Sequence, residues 1–215
     1  DLSIVNTFAL CPTILAQTPA DYDIQMRRVV GFAKRIQIDI SDGVFSPIKT
    51  ISLSKVWWPH TLNADIHLMV QNPQHYVDDI VRLKPNLLIV HAEADGSYLP
   101  FAKHLHDKNI KVGVALLPST SPEVILSAID AIDHVLIFSG DLGRFGGKAD
   151  YGLLQKVKDI RRVKPQIEIG WDGGVNDHSI QKLQRGGIDV FNVGGFIQRA
   201  NDPQDNYQKL QSLLH

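Results

Sequence analysis

Short apolar, β-branched runs recur along the chain at intervals of roughly 20 to 35 residues, about the length of a βα unit. They read FALCPTIL, RIQIDIS, ADIHLM, NLLIVHA, KVGVALL, HVLIFS, QIEIGW and IDVFNV. Each is too short for a buried helix and rich in strand-forming residues. Helix-starting signals follow them. Thr18-Pro19, Asn72-Pro73, Ser121-Pro122 and Asp202-Pro203 pair an N-cap side chain with a proline, whose missing N–H is harmless in a first helical turn. Asp150 and Asn176 read as caps without the proline. Apolar residues then return at helical spacing, as in Tyr76, Ile80 and Leu83, or Ile180 and Leu183 before the Gly186-Gly187 stop and Ile188. Eight strand–helix alternations predict an α/β protein with a parallel sheet and external helices. Over this length they close into a (β/α)8 TIM barrel, one domain spanning residues 1–215. The rival is an open doubly wound sheet, which would carry a G-x-G-x-x-G turn after its first strand; PTILAQTP is not one.

Barrel chemistry sits where the strands end, so the inward residues there are the candidates. In IQIDISDG, Ile36, Ile38 and Ile40 form one edge and Gln37, Asp39 and Ser41 the other. Asp65, His67 and Met69 share a face of the third strand. Glu168, Gly170 and Asp172 share a face of the seventh, opposite Ile167, Ile169 and Trp171. Asp39, His67 and Asp172 therefore aim at one cavity from three strands. Carboxylates with imidazole suit a borderline divalent metal, and carboxylates on two sides of a cavity suit proton transfer. Any one inward aspartate alone reads as structural; the convergence marks the site. Asp42 before Gly43 reads as a turn residue. His91 and Glu93, ending the fourth strand, read as supporting residues. His60, His75, His104, His106, His134, His178 and His215 read as surface or packing.

Glycine adds a second signal. Gly146-Gly147, Gly173-Gly174 and Gly194-Gly195 follow the sixth, seventh and eighth runs. Backbone N–H groups in such loops bind anions, which points to phosphate. Arg144 and Lys148 add loop charge. The formal net charge of −1 argues against a nucleic-acid binder. One cysteine, Cys11, rules out an internal disulfide and fits a reducing compartment. No apolar run has the roughly 18 residues of a membrane span. The first residues show no basic stretch followed by an apolar run. A cytoplasmic location is expected.

CPTILAQ, IQIDISDGVFSP, DIHLMV, VHAEA, VGVALLPST, FGGK and WDGGVN resemble, in order, the signatures of the ribulose-phosphate 3-epimerase family. The resemblance covers nearly the whole chain. It implies a TIM barrel acting on a sugar phosphate, ribulose 5-phosphate to xylulose 5-phosphate, with Asp39 and Asp172 as the acid/base pair working through an enediolate. It also implies a divalent metal (Zn, Mn, Fe or Co) held by Asp39, His67, Asp172 and the residue at position 37. Thr13, Met69 and the six glycines become substrate- and phosphate-binding positions. A homo-oligomer is implied as well, and Trp57 and Trp58 read either as a contact surface or as buried under the second helix.

The resemblance lapses locally. The family's first metal-binding histidine falls on Gln37. Ala16, Ser41, Val44, Ile48, Phe138 and Gly195 also replace customary residues. These changes leave three functions open: an epimerase with an altered metal set, an epimerase of another sugar phosphate, or a catalytically impaired phosphosugar binder. A related decarboxylase group uses an Asp-x-Lys-x-x-Asp strand end, and DISDG has no lysine.

Overall fold

The structure, a computed structural model, describes residues 7–215. Residues 1–6, where the sequence was read for a leader, lie outside them. Every one of the eight runs is a strand: β1 (Ala9–Ile14), β2 (Arg35–Ser41), β3 (Asn63–Met69), β4 (Leu87–His91), β5 (Lys111–Leu116), β6 (His134–Phe138), β7 (Glu168–Asp172) and β8 (Val190–Val193). They pair in parallel in sequence order, and β8 returns to β1, so the sheet closes. Closure leaves no unpaired edge.

The helices are α1 (Pro19–Val29), α2 (Val77–Leu83), α3 (Leu99–Asp107), α4 (Glu123–Leu126), α5 (Leu154–Val163), α6 (Ile180–Arg185), α7 (Gly195–Gln198) and α8 (Pro203–Leu213). Their starts follow the capping chemistry. Thr18 Oγ1 accepts from Asp21 N–H, and Asp202 Oδ1 accepts from Gln204 and Asp205 N–H. Asp150 caps the 3₁₀ turn Tyr151–Leu153 that runs into α5, and Asn176 accepts from His178 and Ser179 N–H in the turn ahead of α6. Asn72-Pro73 opens a 3₁₀ turn ahead of α2, without a side-chain cap bond.

One unit departs from the expected pattern. Between β2 and β3 there is a single 3₁₀ turn, Leu53–Lys55, and no α-helix. The segment VFSPIKTISLSKVWWPH carries two prolines and scattered β-branched residues, with no helical period to bury. The Trp pair accordingly has no second helix above it. Trp57 is exposed, meets Tyr22 of α1 edge-on at 6.0 Å between ring centroids, and donates its indole N–H to Asp23. Trp58 is half-buried against the main core.

Two apolar clusters hold the molecule together. The larger fills the space between strands and helices and includes Ile36, Ile38 and Ile40. The smaller, Leu87, Ile89, Ala115 and Leu136, lies inside the barrel. Below it, at the N-terminal strand ends, Arg35 pairs with Asp65 (2.7 Å) and Glu168 (2.8 Å), and His134 Nδ1 lies 2.8 Å from Glu168 Oε1. The His134 ring takes space that side chains would need at Gly113 and Gly170, where an added Cβ would fall 3.2 and 2.8 Å from it. The base of the barrel is therefore plugged by charge pairs and packing, and the open end is the C-terminal one.

Candidate active site

Strand register brings the predicted residues together. Asp39 and His67 are direct partners across β2 and β3, Thr13 faces Gln37 across β1 and β2, and Asp172 faces Asn192 across β7 and β8. Asp39, His67 and Asp172 offer ligand atoms that all lie within 4.8 Å of one another. His67 Nδ1 is 3.1 Å from Asp39 Oδ1 and 3.9 Å from Asp172 Oδ2.

Gln37 sits in the middle of this group, fully buried. Its amide Nε2 donates to Asp39 Oδ1 (3.0 Å) and to Asp172 Oδ2 (2.7 Å). The amide thus ties the two carboxylates together. Its other end, Oε1, is buried without a partner. So are Thr13 Oγ1, Ser41 Oγ and Asn192 Oδ1. A buried polar atom with no partner costs about 1–3 kcal/mol, and among the described residues four of them gather on the adjacent strands β8, β1 and β2.

The electrostatics follow from burial and proximity. Burial raises the Asp172 pKa, the negative charge of Asp39 raises it further, and His67 and the Gln37 amide act against both; the outcome is about 7. Burial works against a charged His67, but the hydrogen bond and charge of Asp39, with Asp172 behind, lift its pKa above the usual histidine value.

His91 and Glu93 take the supporting position expected of them. His67 Nε2 lies 2.8 Å from His91 Nε2, and His91 Nδ1 lies 3.1 Å from Glu93 Oε1. Burial pushes the His91 pKa down to about 4. A neutral His91 that donates through Nδ1 to Glu93 must accept through Nε2, which fixes the Nε2 proton on His67 and leaves His67 Nδ1 facing the two aspartates. Asp42 is a turn residue: its carboxylate accepts from the N–H groups of Val44, Phe45 and Gln71.

Above the carboxylates opens a cavity of about 310 Å³. Thr13, Asp39, Asp172 and all six predicted glycines line it. Met69 is buried on the inward face of β3, outside that lining. Gly173 and Gly174 have positive φ, and a Cβ on either would fall within 2.3 Å of the backbone of the loop after β6. These loops interlock only because side chains are missing. Arg144 lines the cavity and Lys148 does not. Sequence reasoning missed Asn192, whose place on an inward strand position was readable from alternation. It also missed Phe145, Phe196 and Arg199, which carry no periodic signal.

A model described as the ribulose-phosphate 3 epimerase family matches residues 9–197. A ribulose-phosphate 3-epimerase of Aquifex aeolicus is 32% identical over 213 residues, 95% of this chain and 96% of its own. One from Helicobacter pylori is 31% identical over 192 residues, covering 86% and 88%. Among solved structures, a 3-hexulose-6-phosphate synthase superposes with a TM-score of 0.73 at 18% identity, covering 96% of this chain and all of its own. A mutant tryptophan synthase alpha-subunit from Pyrococcus furiosus gives 0.71 at 12%, covering 95% and 97%. At such identities these two speak for the fold alone.

Proposed function

This chain belongs to the ribulose-phosphate 3-epimerase family, and from that premise we propose that it interconverts ribulose 5-phosphate and xylulose 5-phosphate by proton transfer at C3, with Asp39 on one face of the sugar and Asp172 on the other. The observation that carries the reading is the convergence of these carboxylates, from β2 and β7, at the floor of one glycine-lined cavity. A proton α to a ketone is too weakly acidic for a lone carboxylate, and inversion at C3 needs a base on one face and an acid on the other. One aspartate removes the C3 proton to give an enediolate; the other returns a proton from the opposite face. A pKa of about 7 lets Asp172 hold or release its proton near neutrality, as that exchange requires. The floor is largely closed to solvent by Gln37, His67 and the inner strand residues, which shields the two acids from bulk water from below.

A divalent cation fits the residues present. His67 Nδ1 and one oxygen from each aspartate would hold it, and the unpartnered Oε1 of Gln37 is a fourth donor once the amide makes a half-turn about its last bond. That set is three oxygens and one imidazole nitrogen, richer in oxygen than a histidine at position 37 would make it. When bound, the cation supplies Lewis-acid polarisation of the C2 carbonyl. The test is a coupled assay of the purified protein on ribulose 5-phosphate with added manganese, zinc or cobalt. Cation-dependent turnover is expected, falling at least about 1,000-fold in Asp172→Asn. No turnover with any cation would sink the proposal.

The bridge from Gln37 Nε2 to both carboxylates favours a second reading, a phosphosugar binder in which the amide takes the cation's place. Calorimetry would then show pentose phosphate binding without conversion.

A further inference from the structure

The cavity has a cationic side that proton transfer does not use. Arg199 is the C-cap residue just after α7 and lies beyond residue 197, where the family match stops. Its Nη1 lies 3.8 Å from where a Cβ would stand on Gly146 and 3.5 Å from where one would stand on Gly195. The guanidinium therefore lies across two bare backbone surfaces, one on the loop after β6 and one after β8. Arg144 lines the same cavity. Among the described residues neither arginine forms an ion pair. Among the described residues, the acids in the lining are Asp39 and Asp172, at its floor and already bonded to Gln37. The cavity is bipolar, with a carboxylate floor and a guanidinium rim.

We propose that Arg199 is a specificity-determining anchor: its guanidinium, seconded by Arg144, grips the substrate's phosphate dianion at the glycine-lined end of the cavity and makes tight binding conditional on that charge. A planar guanidinium gives paired, charge-assisted hydrogen bonds to phosphate oxygens, which a lone backbone N–H does not. The bare backbones of Gly146 and Gly195 give it room to lie flat beside the anion. Arg199 is solvent-exposed, so it meets an incoming phosphate without a buried partner to break. The inference rests on the phosphosugar reading above, and it separates this chain from a site that holds phosphate by backbone alone.

The experiment is calorimetric titration of inorganic phosphate into the parent, Arg199→Gln, Arg199→Lys and a control, Arg162→Gln, altered on the exposed face of α5. The Gln variant should bind about 10- to 100-fold more weakly, the Lys variant in between, and the control like the parent. With ribulose 5-phosphate the same factor should fall on KM rather than kcat, because the phosphate is gripped equally in ground and transition states. Equal phosphate affinity in Arg199→Gln and parent would overturn the proposal, as would a parent that binds no phosphate. Arg199-dependent phosphate binding without turnover would support the anchor and overturn the epimerase reading.

Discussion

Replacing Asp172 by asparagine should make the cation-free protein more stable at alkaline pH while removing its chemistry. Asparagine keeps the shape and the acceptor oxygen that Gln37 bonds, and it deletes the charge. In the parent, burial and Asp39 raise the Asp172 pKa from 3.8 to about 7. A carboxyl whose folded pKa exceeds its unfolded one binds more protons folded than unfolded. Its contribution is fully present below about pH 4 and is lost as pH climbs through 7. About three units at 1.36 kcal/mol each come to roughly 4 kcal/mol at pH 8. That is an upper bound, because the side chain is 17% exposed and its proton is shared electrostatically with Asp39 and His67. The assay is urea denaturation of chelator-treated parent and variant at pH 4.5 and pH 8. Titrations elsewhere, such as those of Asp42 and Glu168, are common to both proteins and cancel in the difference. At pH 4.5 the two should agree within about 1 kcal/mol; at pH 8 the variant should lead by about 2–4 kcal/mol. Adding manganese should reverse the order, since the cation stabilises only the parent's paired carboxylates. A stability difference independent of pH, or a variant weaker at pH 8, would refute the reasoning.

Gln37→His should tighten zinc about tenfold or more relative to manganese, read by competition against a chromophoric chelator, because an imidazole replaces an amide oxygen. Unchanged zinc affinity would mean that position 37 does not face the cation. Gly173→Ala should destabilise by about 3 kcal/mol or more in a denaturant melt, since its Cβ would fall 2.3 Å from Gly140 N at a φ of +119°. A neutral result there would mean that the loops after β6 and β7 are not interlocked.

All eight strands were legible because two periods coincide: alternation within each run and a βα repeat between runs. The inward set Gln37, Asp39, His67 and Asp172 followed from alternation alone. The missing helix after β2 was the cost of extending the repeat across a segment whose two prolines and lack of apolar period argued otherwise. Arg35 illustrates a different blind spot. A cation at the start of a strand reads as solvent-facing, and only barrel closure brings it to Asp65 and Glu168 on two other strands. Arg199 was invisible for the same reason: its relation to Gly146 spans the loops after two strands, and no local pattern encodes it. The Gln37 substitution could be seen in the sequence; that its amide would knit the two aspartates together could not.

The backbone at position 37 is held by its parallel neighbours, with Thr13 and Asp65 in register on either side. Nothing in that ladder depends on which side chain projects into the cavity. Histidine and glutamine codons differ only in their third base. A single nucleotide exchange therefore moves position 37 between an imidazole and an amide that bonds both aspartates. On the reading proposed above, the preference among trace metals can then shift at one locus while the barrel is inherited intact.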